Sequence, residues 1–78
     1  MQAPAIGRIV LINFGTDGDR PMLILKVLDE NTVNGRVFLD GFNDRDIAKN
    51  YGMRTADDIW MQAVVRGKGP LKWRFYDD

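Results

Sequence analysis

This chain must form a stable fold from 78 residues that include neither cysteine nor histidine. Domains of this size usually supplement a small hydrophobic core with disulfides, a structural metal or contacts between copies. The two absent residue types exclude disulfides and the usual zinc sites. The sequence therefore predicts a homo-oligomer, with a compact barrel that is stable by itself as the alternative.

Serine is also absent, which limits the chemistry of the chain further. A serine or cysteine nucleophile with a histidine base is excluded, so carboxylates, lysines and tyrosines are the remaining acid–base groups. A chain this short has little material for a cleft in which they could act. We therefore predict a protein that is not an enzyme and uses no cofactor, with carboxylate-dependent catalysis as the alternative.

Charge and hydropathy restrict the partners and the location. Eleven Lys and Arg residues balance eleven Asp and Glu residues, so no overall field attracts long nucleic acid or an anionic membrane. The longest apolar runs, 9–12 and 21–25, are far shorter than the roughly 20 residues of a membrane helix. Residues 1–6 lack the pattern of a signal peptide. These features predict a cytoplasmic protein that binds neither long nucleic acid nor membrane.

Segments rich in strand formers alternate with glycine, aspartate and asparagine clusters. Strands are predicted at 6–14 and 21–28, and a three-residue connection with a left-handed Asn31 leads to a third strand. A short helix is predicted at 44–51, with Asn43 as its cap. The whole chain, 1–78, is predicted to be one small, mainly β domain. Its fold would be a bent five-stranded antiparallel sheet or small SH3-like barrel with one short helix between strands 3 and 4.

The register of the first hairpin determines which apolar side chains are exposed. Placing Val27 opposite Val33 puts Leu25 opposite Gly35 on the core face. The other face is then more apolar than a solvated face should be, which is typical of an interface. Its predicted interface residues are Met22, Ile24, Leu28 and Phe38. The alternative is that the helix at 44–51 folds over this face and buries it.

The segment 55–67 is ambiguous. Thr55 followed by Asp58 resembles the start of a helix, whereas residues 59–65 are rich in strand formers. The turn at 67–70 and the alternating residues 71–76 favour a strand. We therefore predict that 59–65 and 71–76 pair as a hairpin, with Ala63 opposite Trp73 and Val65 opposite Leu71.

Several short motifs follow one another in a characteristic order. They are Pro4–Val10 at the start, Arg20–Pro21, Val33–Gly41 in the middle, and Gly69–Pro70 followed by Trp73 at the end. In this order the chain resembles a widespread group of small phage and prophage proteins of uncharacterised function. The resemblance covers most of the chain apart from the helical insert, and it implies a phage-encoded protein that works inside a bacterium.

That group tends to carry two tryptophans flanking a histidine in its last strand. Here the equivalent residues are Trp73, Arg74 and Phe75, so no role of that histidine carries over. The resemblance implies no catalytic residue. It also favours a strand for residues 59–65.

A basic cluster with aromatic neighbours is the most prominent local motif. Four cations lie within nine residues that contain no acid, and two aromatic side chains share a face with part of them in the predicted hairpin. Cations bind phosphates and flat rings stack on bases, so the cluster predicts a site for an anionic ligand. The predicted ligand-binding residues are Trp60, Arg66, Lys68, Lys72, Arg74 and Tyr76. The alternative is a solvated sheet face on which basic side chains cover the rings.

No metal site is predicted. Asp40, Asp44 and Asp46 lack the glycine and the terminal glutamate of a calcium loop, and the last two fit the first turn of a helix. The leading functional prediction is a non-enzymatic, homo-oligomeric phage-type module that binds a host or phage protein stoichiometrically. The alternative is an oligomer that sequesters a small anionic, nucleotide-like ligand in pockets between copies.

Overall fold

The computed structural model describes residues 3–40, 43–50 and 59–78. Five antiparallel strands form one sheet in the order β4-β3-β2-β1-β5, and the sheet curls into a half-barrel with little helix. This confirms the predicted fold class. The elements are β1 (Ile9–Asn13), β2 (Asp19–Val27), β3 (Thr32–Val37), α1 (Arg45–Asn50), β4 (Trp60–Val65) and β5 (Trp73–Arg74), with a short 3-10 turn at Gly15–Asp17.

Alternation along the strands divides the sheet into an inner and an outer face. Every second residue of a strand points to the same side of the sheet. The apolar residues of each strand therefore gather on the inner face, where they are buried. Ile47 of α1 joins the same cluster, so the helix packs on the inner side of the sheet. The buried apolar residues are Val10, Ile12, Phe14, Met22, Ile24, Val33, Val37, Ile47, Ile59, Val64, Trp73 and Phe75.

A bulge in β2 changes the register of the first hairpin. Val27 lies opposite Val33 as predicted, but Leu25 has no partner, and Ile24 takes the position opposite Gly35. One inserted residue reverses the face of everything that precedes it. The prediction that Met22 and Ile24 lie on an exposed face is therefore wrong, since both are fully buried on the inner side. The alternative, a face covered by the helix, describes them better.

The β2–β3 connection is closed by a side chain. Asp29 accepts a hydrogen bond from the backbone N–H of Asn31 through Oδ1 at 2.8 Å. Asn31 does not adopt the predicted left-handed conformation. Among the described non-glycine residues, Ala63 and Leu71 are the ones with a positive φ. The aspartate thus stabilises the turn in place of a left-handed residue.

A second bulge lies in β4. Gln62 and Ala63 together occupy the space opposite Asn34 of β3. Ala63 has a φ of 53°, and its N–H donates to Oδ1 of Asn34 at 2.8 Å. The asparagine side chain therefore supplies the hydrogen bond that the interrupted strand ladder cannot make.

The predicted hairpin of 59–65 with 71–76 does not form. Residues 60–65 are a strand, as favoured, but β4 pairs with β3 whereas β5 pairs with β1 at the other edge of the sheet. The two edges meet at a parallel bridge between Arg66 and Trp73, where the Gly67 N–H donates to the Trp73 carbonyl at 2.9 Å. Curling of the sheet brings these edges together without making them a hairpin.

The predicted helix forms and begins at Arg45, one residue later than predicted. It spans Arg45–Asn50, and Asn43 before it bonds to Asp40 through its backbone N–H at 2.9 Å and through its side chain. Tyr51, the predicted last residue, lies outside the described residues.

Candidate interaction surface

Arg66 belongs to the predicted ligand cluster, but its guanidinium closes the seam between β4 and β5. Nη2 donates to both carboxylate oxygens of Asp78, at 2.7 and 2.9 Å, and Nε donates to Oδ2 at 3.1 Å. The same group lies 5.3 Å from the ring centre of Trp73 and 5.0 Å from that of Phe75. This pairing holds the pKa of the Asp78 carboxyl below its usual value, with help from the Phe75 N–H. Arg66 thus has a structural role at the seam.

Arg74 also binds a carboxylate. Its Nη2 donates to Oδ2 of Asp19 at 2.6 Å. Its Nη1 is buried and makes no hydrogen bond within the described part of the chain. Since Nη2 is held by Asp19 and Nη1 is buried, the guanidinium does not form an open anion site.

The other members of the predicted ligand cluster do not share one face. Trp60 begins β4 and is 52% exposed, whereas Tyr76 follows β5. Because the Arg66–Trp73 bridge is parallel, the chain before Arg66 and the chain after Trp73 run away from each other. The structure therefore separates the two rings. Lys68 and Lys72 lie in the exposed connection between β4 and β5.

Of the predicted interface residues, Leu28 and Phe38 are exposed, and Met22 and Ile24 are buried. The two exposed residues lie on the outer face of the sheet, because each directly follows a residue of the inner face, Val27 or Val37. They identify a surface whose other members differ from the predicted ones.

One row of this outer face crosses four strands. Ile9 lies opposite Leu23, Leu23 opposite Arg36, and Arg36 opposite Trp60. Side chains at such cross-strand positions are neighbours on the same face. The row therefore places two aliphatic side chains, one cation and one indole side by side.

A second row lies two residues further along. Leu11 lies opposite both Arg74 and Pro21, and the N–H of Phe38 donates to the Pro21 carbonyl at 2.9 Å. We call the two rows, together with Leu25 of the bulge, the outer patch. It comprises Ile9, Leu11, Pro21, Leu23, Leu25, Arg36, Phe38, Trp60 and Arg74.

The outer face holds most of the exposed apolar material of the described chain. Of the nine large apolar side chains that are exposed among the described residues, six lie on the outer face; the other three, Ile6, Leu71 and Tyr76, are in turns or loops. The six on the outer face are Ile9, Leu25, Leu28, Phe38, Trp60 and Val65. Apolar surface concentrated in this way usually marks a binding surface.

The sequence contains a signal for this surface beyond the register of the first hairpin. Residues 21–25 are a continuous apolar run. An alternating pattern indicates a strand with one solvated face, whereas a continuous run indicates a strand covered on both faces. The run therefore predicts an apolar outer face without predicting its members. Leu23 and Leu25 lie in this run and were missed for that reason, as was Ile9 outside it, whereas Trp60 was predicted as a ligand-binding residue.

An ion pair fixes the start of β2 to the segment before α1. Arg20 donates through Nε and Nη2 to the two carboxylate oxygens of Asp44, at 2.9 and 2.8 Å. The Asp40 N–H donates to the same carboxylate at 2.8 Å. These bonds hold the pKa of Asp44 below its usual value and raise that of Arg20. Asp44 thus joins the helix to the sheet, a role beyond the predicted helix start.

The described residues were also compared with what a metal site, a ligand cleft or a membrane-spanning helix would need. Residues 3–40, 43–50 and 59–78 contain no group of three or more acidic side chains placed to hold a metal ion. An open cleft beside α1 is lined by polar side chains alone, namely Asn43, Arg45, Asp46 and Lys49. Within these same ranges, no helix has the length and apolar character needed to cross a membrane.

Comparison with known proteins adds no relative: no family model, no curated protein and no solved structure matches this chain.

Proposed function

We propose that the chain is a non-enzymatic, phage-type module that binds a protein partner stoichiometrically in the cytoplasm of a bacterial cell. The observation that carries this proposal is the outer patch. Its apolar side chains lie in two adjacent rows on regular strands, so their spacing is set by the sheet. Exposed aromatic residues such as Trp60 and Phe38 are the side chains that most often anchor protein interfaces.

The nucleotide-sequestering alternative has less support. It required Arg66, Lys72 and Arg74 to line a common pocket between copies, but Arg66 and Arg74 already bind Asp78 and Asp19. A nucleotide phosphate would have to displace a carboxylate at each position. Thermal-shift measurements with a nucleotide panel test this alternative, because a ligand at 100 times its dissociation constant would add about 2.7 kcal/mol of stability.

Homo-oligomerisation stays a prediction from the small size of the chain and the absence of cysteine and histidine. Light scattering over a range of protein concentrations tests it independently of the outer patch. A species that remains monomeric at all concentrations would contradict it.

Site-specific photo-cross-linking in bacterial cells tests the proposed function. A photoreactive phenylalanine analogue replaces Trp60 or Phe38 on the outer patch, and Lys49 of α1 in the matched control. Cross-links from positions 60 and 38 to one protein, with no such product from position 49, are expected. Failure of both outer positions to cross-link, or an equal product from position 49, would contradict the proposal. A product of two copies of this chain would show self-association and contradict a distinct partner.

A further inference from the structure

β4 lies at one end of the strand order, so it has a neighbouring strand along one of its two edges. That neighbour is β3, and the bridge between Arg66 and Trp73 meets the other edge beyond the end of β4. Among the described residues, no further strand pairs with β4, so its edge from Trp60 to Gln62 has no strand beside it. We call this stretch the open edge.

The backbone groups of the open edge follow from the bonds on the other side of the strand. The carbonyl of Ile59 accepts the Val37 N–H at 3.0 Å, so the backbone of Ile59 faces β3. Successive residues of a strand turn their backbone groups to alternate sides. Trp60 and Gln62 therefore turn their N–H and C=O groups away from β3. Donors and acceptors spaced in this way are what an additional strand pairs with.

The side chains of β4 do little to prevent another strand from pairing with it. Edge strands are usually protected by charged side chains or a proline. β4 contains neither, and Trp60, Gln62 and Ala63 are exposed. The bulge at Gln62–Ala63 gives some protection, because it confines the regular part of the edge to residues 60–62. The open edge therefore fits a short extended segment better than a long one.

We infer that the partner of the outer patch adds a short extended segment to the open edge as a further strand of the sheet. This inference rests on the proposed function and specifies how the partner binds. The segment exchanges backbone hydrogen bonds with Trp60 and Gln62, which provides affinity with little dependence on sequence. Every second side chain of the segment lies beside the exposed Trp60 ring and extends the outer patch. These side chains are expected to be apolar, and the bonded positions are expected to lack proline.

A second copy of β4 fits the open edge less well than a segment of another protein. A symmetric dimer places the same surface of each copy in the interface, so β4 would pair with itself. Both strands of the new ladder would then carry the interruption at Gln62–Ala63. An extended segment from another protein meets a single bulge and pairs with the regular residues that precede it.

Peptides selected on the intact chain from a display library of random fifteen-residue sequences provide a defined probe. Each selected peptide is resynthesised with one N-methyl group at each position in turn, which removes a single backbone N–H. In an added strand, alternate N–H groups point to β4 and the others point away. Methylation at alternate positions should therefore weaken binding about tenfold or more, while the positions between them change it by less than about threefold. Equal effects at neighbouring positions would overturn the inference.

Gln62→Pro tests the same ladder from the side of the chain. It removes one N–H of the open edge, and proline is tolerated in an edge strand where the N–H faces outward. The selected peptides should bind this variant about tenfold more weakly. Glu30→Pro is the matched control, because Glu30 is the second residue of the exposed turn that Thr32 closes by donating to the Asp29 carbonyl, a position that favours proline. It should bind within about twofold of the unmodified chain.

Circular dichroism confirms that each proline variant is folded. If Gln62→Pro does not fold, the methylation scan still decides the question, because it uses the unmodified chain. Unchanged binding by folded Gln62→Pro would overturn the inference. A dimer of the chain that Gln62→Pro abolishes, with no peptide selected, would assign the open edge to a second copy and would also overturn it.

Ile9→Asp separates this inference from the proposed function, because Ile9 lies on the outer patch in β1, three strands from β4. Peptides that lose binding in Ile9→Asp but not in Gln62→Pro would overturn the added strand and support the outer patch. Loss in Gln62→Pro alone would support the added strand, and loss in both variants would support the strand and the outer patch together. Peptides that bind both variants as well as the unmodified chain would contradict both.

Discussion

Asp44 accepts hydrogen bonds from the Arg20 guanidinium at both carboxylate oxygens, with N–O distances of 2.9 and 2.8 Å. The carboxylate side chain is only 7% exposed and the arginine 27% exposed. Because Asp44 also accepts the Asp40 N–H, the pair joins three parts of the chain: β2, the residues after β3 and the start of α1. Its loss should therefore affect the position of α1 on the inner face.

Arg20→Ala should lower the free energy of unfolding by about 2 kcal/mol at pH 7, because it leaves a buried carboxylate without its cation. This value lies below the range for a fully buried pair, since the arginine is partly solvated. Urea denaturation measures the change. Lys26→Ala, which removes an exposed cation, is the control and should change stability by less than 0.5 kcal/mol, as is typical of surface sites.

The Asp44 pair should make stability depend on pH. The folded-state pKa of Asp44 is lowered, so the carboxylate stabilises the fold above the pKa of the unfolded chain, about 3.9. This contribution is lost as the pH falls from that value through the lower folded-state pKa. The stability difference between the unmodified chain and Asp44→Asn should be full at pH 6 and shrink below pH 4. A difference that grows on acidification would contradict the assignment.

Gly35→Ala should destabilise the fold by about 1–3 kcal/mol through overpacking. An added Cβ would lie 2.5 Å from Cγ of Met22 and 3.0 Å from the backbone oxygen of Leu23. In a Met22→Ala background Gly35→Ala should cost less than in the unmodified chain but should still destabilise, because the contact with the Leu23 backbone oxygen remains. Gly69→Ala is the matched control: its nearest contact is 3.6 Å, so equal losses at the two sites would contradict the close approach of β2 and β3.

Ala63→Gly should raise the free energy of unfolding by up to about 1 kcal/mol, because glycine adopts a φ of 53° without the cost that alanine carries. Asn34→Ala should lower it by about 1 kcal/mol, since the Ala63 N–H loses its acceptor. Ala5→Gly, at a residue without a positive φ, serves as the control and should not stabilise. Stabilisation by Ala5→Gly equal to that of Ala63→Gly would show that the bulge is unstrained.

Arg66→Lys should loosen the seam between β4 and β5, because lysine cannot reproduce the planar stacking or the paired bonds to Asp78. In a Trp60→Phe background, Trp73 is the only tryptophan and reports the seam by its fluorescence. We expect red-shifted emission and a loss of about 1 kcal/mol. Lys68→Ala should leave the emission unchanged; a red shift of the same size there would remove the special role of Arg66.

Strand content was predictable from residue types, whereas strand pairing was not. The sequence predicts extended chain at residues 60–65, but it also favours pairing neighbouring strands, which placed β4 beside β5. The observed pairing depends on curling of the whole sheet. The bulge at Leu25 lies in a continuous apolar run, in which odd-numbered and even-numbered residues are equally apolar. The sequence therefore does not indicate which of the two sets faces the core, and the predicted register is wrong for residues before the bulge.

The candidate site was predictable only in outline. The predicted hairpin register indicated an outer face too apolar for solvent, and Leu28 and Phe38 are exposed as it predicts, whereas Met22 and Ile24 are buried. The predicted cationic cluster does not form one open surface, because Arg66 binds Asp78 and Arg74 binds Asp19, acids that are distant in sequence. No local pattern indicates such pairs. The same holds for Arg20 and Asp44, which are 24 residues apart.

The decisive measurement is the affinity of the purified chain for the protein that cross-links at position 60. Calorimetry should give one partner per chain, and Ile9→Asp should weaken binding at least tenfold because it places a charge in the apolar row. Lys49→Glu should bind within twofold of the unmodified chain. Equal affinity of Ile9→Asp and the unmodified chain would contradict binding through the outer patch.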